Sequence, residues 1–471
     1  MRVVAGVDSS TQSCKVELRE VESGRRVALT SAPHSITTPP RSEQDPNEWW
    51  RAFEAAFAAS LAQAGDVELV GISVAGQQHG MVALDAAGEV LRPAKLWNDT
   101  ESAPDAGWLC KQLPGGAAEW AAAIGSVPVA SFTITKLSWL HRSEPDVWAR
   151  LAHVLLPHDW LTHRLTGALV TDRGDASGTG YWSPISGDYR YDLLSVVDAD
   201  QDWSTVVPRV AGPTETVGEW RGVRVACGTG DNMGAALGLG LVAGTAVVSI
   251  GTSGTAYAVA TAPTADTTGA VAGFADAAGG FLPLACTLNA TKVTDAVARL
   301  LGVGREEFDA LALAAPSGAG GLTLLPYFDG ERTPDLPTAT GWLSGIRSDV
   351  SREQLARAAV EGVACSLLDA LDAVRAVAAV DSVVLVGGGS RSQAYRDIVA
   401  GLCDLPVSVA DAEEAVATGA CVQAAAVALG LSHADIALRW GLGESAAVHA
   451  AVADPDVRSR YRTARDTAYP A

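Results

Sequence analysis

Two short polar turns, each between two predicted strands, carry the side chains with the clearest chemistry. The first covers residues 8–13, between the apolar run 3–7 and the alternating run 14–18. The second, residues 251–254, separates two further strand-like runs. Backbone N–H groups and hydroxyls in such turns can surround a triphosphate, and a carboxylate such as Asp8 can hold Mg²⁺ directly or through water. Taken alone, either turn is more simply explained as a hairpin.

Two common phosphate-binding motifs are not supported by the sequence. A P-loop needs a lysine directly after a glycine. The five lysines, none of which has that neighbour, are Lys15, Lys95, Lys111, Lys136 and Lys292. The dinucleotide pattern Gly-x-Gly-x-x-Ala occurs at 238–243 and 441–446, but neither copy follows a predicted strand and opens a helix. The sequence therefore excludes a P-loop and disfavours a dinucleotide site.

Polar side chains also follow a third predicted strand. The apolar run 69–75 leads to Gln78 and His79, and open α/β sheets present ligands at the carboxyl ends of their strands. Without further information, His79 is more often a structural histidine than a ligand contact. His158 and His163 do not suggest a metal pair, because a five-residue spacing places them on different faces of a helix.

The placement of the two turns predicts how the chain is organised. A length of 471 residues favours two or three domains at about 150 residues each. The strand, turn, strand pattern at 3–18 recurs at 245–259, about half a chain later. Two similar openings at that separation suggest two related α/β domains.

Elements around the turns follow from periodicity and capping signals. Residues 46–64 predict an amphipathic helix that begins after Asp45, and residues 351–378 predict a second helix. A short apolar strand at 382–386 runs into three consecutive glycines that begin at Gly387.

Composition and charge exclude several classes of function. Hydrophobic residues make up 48% and charged residues 19%, which is typical of a globular protein. Lys and Arg number 34 against 54 Asp and Glu, a net charge of −20 that repels nucleic-acid phosphates and anionic lipid. No apolar run reaches the roughly 18 residues of a membrane span and no cleavable signal opens the chain, so we expect a cytoplasmic location. Seven scattered cysteines without a Cys-x-x-Cys pair indicate neither a disulfide framework nor a zinc site.

Six motifs occur in order along the chain. They are SEQDPNEWW at 42–50, GQQHG at 76–80, LWND at 96–99, KLSWL at 136–140, GWLSGI at 341–346 and QLARAAVE at 354–361. Together they resemble the FGGY carbohydrate kinases, and within that family the branch that acts on D-xylulose. The resemblance extends from about residue 5 to about residue 425. The last three motifs, which are similar to the two family signatures, are more specific than any single glycine turn.

The resemblance implies a fold and an activity. It implies an α/β protein of two actin-like (ribonuclease H-like) ATPase domains with a central cleft. Residues 1–240 would carry most of the sugar site and residues 241–471 most of the ATP site. The implied reaction transfers the γ-phosphoryl group of Mg·ATP to the terminal 5-hydroxyl of D-xylulose, giving D-xylulose 5-phosphate and ADP. A kinase for another pentulose or polyol, such as ribulose, ribitol or glycerol, is the nearest alternative.

A non-enzymatic actin-like ATPase module is a more remote alternative. A module of this kind that serves as a sugar-sensing regulator would be expected to lack the base or the phosphate turns, whereas this chain keeps Asp231 and both turns. The implied partners are thus a small sugar and ATP, with no nucleic acid and no membrane, and the sequence leaves a homodimer open.

The resemblance also implies which residues act on the sugar. Asp231, in the glycine turn 228–234, matches the family's catalytic aspartate and would take the hydroxyl proton. Its other interpretation is a helix N-cap, and the two are compatible. Trp97 can stack on the sugar or belong to the core. The expected sugar-binding residues are Gln78, His79, Trp97, Asn98, Asp99, Asp231 and Asn232.

The expected nucleotide side draws on both halves of the chain. Asp8 is the expected Mg²⁺ carboxylate, and Lys15 either faces the phosphates or is a solvated edge residue. The expected ATP-binding residues are Asp8, Thr11, Gln12, Lys15, Gly251, Thr252, Ser253, Gly387, Gly388, Gly389 and Gln393. Asp172 and Asp175 match a family loop interpreted as structural. Arg332, in a loop near the cleft, is expected to pair with Glu331 or to face water.

Overall fold

The computed structural model describes residues 1–410, 413–448 and 454–470. The strands are Arg2–Ser9 (β1), Ser13–Glu20 (β2), Arg26–Pro33 (β3), Glu43–Gln44 (β4), Glu68–Gly76 (β5), Val82–Leu84 (β6), Ala94–Lys95 (β7), His153–Leu155 (β8), Val170–Asp172 (β9), Trp182–Ser183 (β10), Asp188–Tyr189 (β11), Arg209–Ala211 (β12), Thr216–Trp220 (β13), Val223–Ala226 (β14), Thr229–Gly230 (β15), Thr245–Ile250 (β16), Gly254–Ala258 (β17), Ala272–Ala275 (β18), Phe281–Thr287 (β19), Thr323–Leu325 (β20), Trp342–Ser344 (β21), Ser382–Val386 (β22), Val407–Ala410 (β23) and Ser445–Ala447 (β24). The helices are Pro46–Ala64 (α1), Ala103–Cys110 (α2), Gly116–Ile124 (α3), Thr133–Ser143 (α4), Pro145–Trp148 (α5), Pro157–Thr166 (α6), Arg173–Ala176 (α7), Tyr191–Leu194 (α8), Trp203–Val206 (α9), Asp231–Gly238 (α10), Thr291–Leu301 (α11), Arg305–Ala314 (α12), Arg352–Arg375 (α13), Gln393–Leu402 (α14), Ala415–Leu429 (α15), His433–Trp440 (α16) and Val457–Ala468 (α17).

The first large sheet has seven strands, in the order β13-β14-β5-β1-β2-β3 with β15 beside β5. Strand β1 is parallel to β5 and antiparallel to β2. Strand β15 is also parallel to β5, and Ala75 of β5 is the register partner of both Asp8 and Thr229. The carboxyl ends of β1, β5 and β15 therefore lie side by side at one edge of the sheet.

The second large sheet repeats the opening of the first. Its order is β18-β19-β17-β16-β22-β23-β24, with β16 antiparallel to β17 and parallel to β22. Strand β16 corresponds to β1, β17 to β2 and β22 to β5. This arrangement confirms the predicted strand, turn, strand pattern in both halves of the chain.

Two predicted helices are confirmed with their starts. Helix α1 begins after Asp45, whose side chain accepts a hydrogen bond from the backbone N–H of Asn47. Helix α13 begins after Ser351, which forms a reciprocal capping box with Gln354. It ends at Arg375, three residues before the predicted end. The strand predicted before Gly387 is also present, as β22.

Helix α15 joins the two halves of the chain. It follows the second sheet in sequence but packs against β1 and β5 of the first sheet. A Cβ atom added to Gly6 in β1 would lie 2.1 Å from the carbonyl oxygen of Ala417, and one added to Gly71 in β5 would lie 2.5 Å from that of Ala424. The predicted boundary between residues 240 and 241 stays a prediction.

The same helix packs closely against α10, which begins at Asp231. A Cβ atom on Gly419 of α15 would lie 1.8 Å from the carbonyl oxygen of Gly234, and one on Gly238 of α10 would lie 1.9 Å from that of Ala415. Backbones approach this closely only where both helices carry glycine at the crossing. The position of α10 is therefore set by glycines on each side.

Among the described residues, no single helix is long and apolar enough to cross a membrane, while α15 and α16, bent by 112°, meet that test as a pair by length and composition.

We expect Gly419→Ala to lower the stability of the fold by about 1–3 kcal/mol, as overpacking of a close contact does. The new methyl group would force α10 and α15 apart, and this cost exceeds the gain of about 1 kcal/mol in helix propensity. The midpoint of urea-induced unfolding measures the change.

Gly107→Ala is the matched control. Gly107 lies inside α2, and an added Cβ atom there would meet nothing within 4 Å. This variant should be as stable as the parent or slightly more stable. A Gly419→Ala variant that unfolds at the parent's urea concentration would contradict the proposed helix contact.

Candidate functional site

Three chemically important positions meet where β1, β5 and β15 end. Asp8 lies near the end of β1, Gln77 and Gln78 follow β5, and Asp231 follows β15 directly. Gly230 occupies the N-cap of α10 and Asp231 is the first helical residue, so the N-cap interpretation of Asp231 is wrong. The strand register alone thus places two carboxylates and two amides at one edge.

Asp231 is held by its neighbour in the helix. Its Oδ1 accepts hydrogen bonds from the backbone N–H of Asn232 at 2.7 Å and from that residue's Nδ2 at 2.9 Å. The same Nδ2 donates to Oε1 of Gln78 at 2.8 Å. Burial, followed by the charges of Asp8 and Asp175, raises the pKa of Asp231 to about 7. A carboxylate with such a pKa is well suited to accept a proton near neutral pH.

Asp8 is 4% exposed, and its Oδ1 has no hydrogen-bond partner among the described residues. Burial raises its pKa to about 6, with Lys15 opposing and Glu414 reinforcing the shift. The ammonium of Lys15 lies 2.5 Å from Glu414 and 3.9 Å from Asp8. Lys15 is therefore a partly exposed, ion-paired side chain at the edge of the site, and its contact with the phosphates stays a prediction.

The turn after β1 is fixed by buried amides. Nε2 of Gln44 donates to the carbonyl oxygen of Thr11 at 2.8 Å, and its Oε1 accepts from the indole of Trp49. The hydroxyl of Thr11 donates to Gln77 at 3.2 Å and accepts from Nε1 of Trp97 at 2.9 Å. Thr11 and Trp97 are thus brought together, and Trp97 is 39% exposed, so it is not a core residue. Gln12 is exposed, and its carbonyl oxygen accepts from the backbone N–H of His34.

His79 stands in an unusual backbone conformation beside two aromatic rings. Its φ is +66°, a left-handed value rare for a side-chain-bearing residue. Its Nδ1 lies 2.8 Å from the carbonyl oxygen of Gly178, and its ring centroid is 5.2 Å from Phe132 and 5.5 Å from Phe274. Burial, then the charges of Lys136 and Arg332, lowers the pKa of His79 to about 3. The imidazole is therefore neutral, and because its Nδ1 donates to the carbonyl oxygen of Gly178, its Nε2 is left as a hydrogen-bond acceptor.

Asp99 lies in a buried ion cluster. It is fully buried, and its carboxylate accepts from the backbone N–H groups of Ser42 and Glu101 and lies 3.1 Å from the ammonium of Lys95. The same ammonium lies 3.1 Å from Glu43 and 2.6 Å from Glu101. The three carboxylates are close enough together to hold a metal ion, but Lys95 already supplies the positive charge among them. Asp99 is thus engaged within the protein, whereas Oδ1 of Asn98, one residue earlier, is buried and has no hydrogen-bond partner in the described part of the chain.

The glycine turns of the second half meet at the ends of β16 and β22. The turn 251–253 is closed by a hydrogen bond from the backbone N–H of Gly251 to the carbonyl oxygen of Ser253, and Thr252 is exposed. A Cβ atom on Gly387 would lie 2.8 Å from the carbonyl oxygen of Ile250, and one on Gly389 would lie 2.4 Å from that residue's Cγ2. Gly387 and Gly389 therefore serve the packing of the two turns.

Gly388 and Gln393 border the same turns. A Cβ atom on Gly388 would meet nothing within 4 Å, so its exposed backbone is open to a ligand. Gln393 is the exposed first residue of α14, and its Nε2 donates to Asp397 at 2.6 Å. The residues of the second half that the sequence predicts to bind the nucleotide thus lie around one exposed surface.

Behind the first sheet's edge lies a buried cluster of one histidine and three aspartates. His158 is fully buried, with Nδ1 at 2.9 Å from Asp175 and Nε2 at 3.1 Å from Asp159 and 3.6 Å from Asp172. Burial lowers the pKa of His158, but the carboxylates outweigh it and raise the pKa to about 9. Asp172 also accepts from the hydroxyl of Thr229 in β15 at 2.8 Å. The cluster therefore ties α6 and α7 to the strand that carries Asp231.

Several residues that build the site were missed from the sequence. Phe132 and Phe274 face His79 from distant parts of the chain, and no local pattern marks them. Lys136 donates to the carbonyl oxygens of residues 130–132 and so fixes the loop that presents Phe132. A signal did exist for Lys136 and for Gln44, because both lie in quoted motifs, but their hydrogen-bond partners lie elsewhere in the fold.

Known proteins match this chain over nearly its whole length. Residues 3–256 match the N-terminal domain, and residues 246–428 the C-terminal domain, of the FGGY family of carbohydrate kinases. A xylulose kinase of Streptomyces rubiginosus is 46% identical over 97% of this chain and 95% of its own length, and one of Streptomyces coelicolor is 48% identical over 93% and 90%. The crystal structure of a xylulose kinase from Bifidobacterium adolescentis superposes with a TM-score of 0.87 at 39% identity, covering 98% of this chain and 99% of that one. The likeness confirms the predicted α/β fold of two ATPase domains.

We expect His158→Gln to destabilise the protein by about 3–5 kcal/mol at pH 7, because it leaves buried carboxylates without their cation. His163→Gln, in the same helix, is the control. His163 is only partly buried and contacts a backbone carbonyl oxygen at 3.2 Å, so its loss should cost less than about 1 kcal/mol. Thermal unfolding measures both variants, and equal midpoints for the two would contradict this account of the cluster.

Proposed function

Because the chain belongs to the FGGY family of carbohydrate kinases, we propose that it transfers the γ-phosphoryl group of ATP to the terminal hydroxyl of D-xylulose. The observation that carries the proposal is the meeting of Asp231, Gln78 and His79 at one sheet edge, in a chain 46–48% identical to two xylulose kinases over most of its length. The product would be D-xylulose 5-phosphate, with ADP released.

In this proposal Asp231 is the general base. Its carboxylate accepts the proton of the attacking hydroxyl as oxygen approaches the γ-phosphorus. The raised pKa supports the role, and the hydrogen bonds from Asn232 keep one oxygen fixed while leaving the other free of protein donors among the described residues. Asn232 and Gln78 are bonded to each other and orient this part of the sugar site.

His79, Trp97 and Asn98 complete the sugar side. The neutral imidazole of His79 can accept a hydrogen bond from a sugar hydroxyl through its Nε2, and Oδ1 of Asn98, which has no partner among the described residues, is a second acceptor for a polyol. Trp97 is exposed and anchored through Thr11, so its ring can pack on the carbon skeleton. Asp99 contributes indirectly, by fixing the segment that carries Trp97 and Asn98.

The residues around Asp8 fit a magnesium ion that accompanies ATP. A buried carboxylate oxygen without any donor is stabilised by a cation, and oxygen is the ligand that Mg²⁺ prefers. When bound with ATP, Mg²⁺ neutralises charge on the β- and γ-phosphates. Asp8 would hold it, while Thr11, Gln12 and Lys15 border the phosphates.

The second half of the chain would bind the remainder of ATP. We place the phosphates against the exposed turn Gly251, Thr252 and Ser253, whose N–H groups can donate. Adenosine lies along Gly387, Gly388 and Gly389, where Gly388 leaves the surface open, and Gln393 lies next to the ribose or base.

A panel of acceptors tests the reaction. We expect kcat/KM for D-xylulose to be higher than kcat/KM for L-xylulose, D-ribulose, L-ribulose or glycerol. NMR of the product should show the phosphate on O5. A coupled ADP assay gives the rates. A preference for another acceptor, or phosphate on a different oxygen, would contradict the proposal.

Asp231→Asn is expected to reduce kcat by at least about 100-fold, because an amide cannot accept the proton. In the parent enzyme the active form carries ionised Asp231, so kcat/KM for the sugar should fall about tenfold per pH unit below pH ~7. The residual activity of the variant should not follow that acid limb.

Asp188→Asn is the control, since Asp188 is an exposed residue of β11 distant in sequence from the site. It should keep both the rate and the pH profile of the parent. An Asp231→Asn variant with near-parental kcat, or one whose remaining activity keeps the same acid limb, would remove Asp231 from the role of base.

A further inference from the structure

The loop between β20 and β21 carries a guanidinium across to the first half of the chain. Arg332 lies in this loop, partly buried. The loop is anchored by Glu331, which is 1% exposed and accepts from the backbone N–H of Leu288, from Nδ2 of Asn289 and from the backbone N–H of Arg332 itself. The Glu331 carboxylate is thus engaged by backbone and amide groups. The expected pairing of Glu331 with the Arg332 side chain is wrong.

The guanidinium of Arg332 points to the sugar side of the site. Its Nη1 lies 3.4 Å from the hydroxyl of Ser131, a residue that is 7% exposed and directly precedes Phe132. Phe132 packs on His79. After burial, which is the largest influence on both pKa values, the charge of Arg332 acts to lower the pKa of His79 and the pKa of Cys286. The charge of Asp231 acts to raise the pKa of Cys286. Arg332 therefore lies at the His79 end of the site, on the same cleft as Asp231.

Other cations near the site already have partners. Lys15 pairs with Glu414 at 2.5 Å, and Lys292 pairs with Asp329 at 3.0 Å. Lys136 is fully buried against three carbonyl oxygens. Within the described ranges, no carboxylate lies within 4.0 Å of the Arg332 guanidinium, which has five N–H donors and uses one of them on Ser131.

We propose that Arg332 is a sugar-binding residue that donates hydrogen bonds to the carbonyl end of the ketose. The inference rests on the proposed function, in which the opposite end of the sugar delivers its hydroxyl to Asp231. A sugar oriented in this way extends from Asp231 towards His79, and its C1 and C2 oxygens then come within reach of the free guanidinium donors. Hydrogen bonds from a charged donor to these oxygens are stronger than those from neutral groups.

This placement has a consequence for specificity. A site that donates to a particular oxygen discriminates strongly against acceptors that lack it or present it in another geometry, since a donor is then left unpaired. Arg332 should therefore favour a ketose over the polyol of the same carbon skeleton. Because Arg332 belongs to the second half of the chain and Ser131 to the first, the sugar would also be held from both sides of the cleft.

The test compares Arg332→Gln and Arg332→Lys with the parent, using D-xylulose and xylitol as acceptors. We expect Arg332→Gln to lower kcat/KM for D-xylulose by about 10- to 100-fold, the effect of losing a charged hydrogen bond. Most of this loss in kcat/KM should come from a higher KM for the sugar, and the KM for Mg·ATP should stay unchanged. The ratio of kcat/KM for D-xylulose to that for xylitol should fall at least several-fold, and Arg332→Lys should recover part of the loss.

Arg347→Gln is the matched control, because Arg347 is an exposed arginine fifteen positions later in the same part of the chain. It should leave all these constants unchanged. Thermal unfolding should give similar midpoints for Arg332→Gln and the parent, since no ion pair is removed. An unaltered sugar KM, an equal loss on both acceptors, or a rise confined to the KM for Mg·ATP would overturn the inference.

The parent enzyme separates this inference from the proposed function. Failure of the parent to phosphorylate D-xylulose would overturn the proposed function, and the inference with it. An active parent together with an unimpaired Arg332→Gln variant would overturn the inference alone.

Discussion

The parallel register of β1, β5 and β15 is the constraint on which the rest of the site depends. It places Asp8 and Thr229 opposite the same residue of β5, so that the chain leaves the sheet towards Asp231 beside the turn that follows Asp8. Helix α10, which begins at Asp231, packs closely against α15 because both helices carry glycine at their crossing. A single methyl group in that crossing would displace the helix that carries Asp231, the proposed base, although the crossing itself lies outside the proposed site.

The negative charge of the protein places a second constraint on the site, because the ligand is itself an anion. The chain carries a net charge of −20, and the site itself contains Asp8 and Asp231, both with raised pKa values. An anionic nucleotide is therefore not drawn in by the net field of the protein. In the proposed function its binding relies on local groups, namely backbone N–H donors and a cation that accompanies the phosphates. The buried imidazolium of His158 stabilises the carboxylates behind β15 but has no access to the nucleotide.

Local signals were enough to predict some of this architecture and not the rest. The two strand, turn, strand units, α1, α13 and the placement of Gln78 and His79 after a strand each depend on a few consecutive residues. The contacts of those residues cannot be predicted from consecutive positions. Phe274, Ser131 and the Lys95 cluster around Asp99 reach their places only through tertiary packing. Gly387 and Gly389 show the same limit, since the contact with Ile250 that requires glycine at both positions is formed by a distant part of the chain.

The two halves of the chain meet at the proposed sugar end of the cleft. Phe274 lies on the second sheet yet packs against Phe132 and His79 of the first half, and Arg332 reaches Ser131 from the second. Water in such a cleft competes with the sugar hydroxyl for the γ-phosphoryl group, so closure has to accompany sugar binding. A guanidinium from one half that binds the sugar on the other would provide that link, because its hydrogen bonds to the sugar form only when the halves are together. Binding energy from the unreactive end of the sugar would thereby stabilise the arrangement in which Asp231 acts.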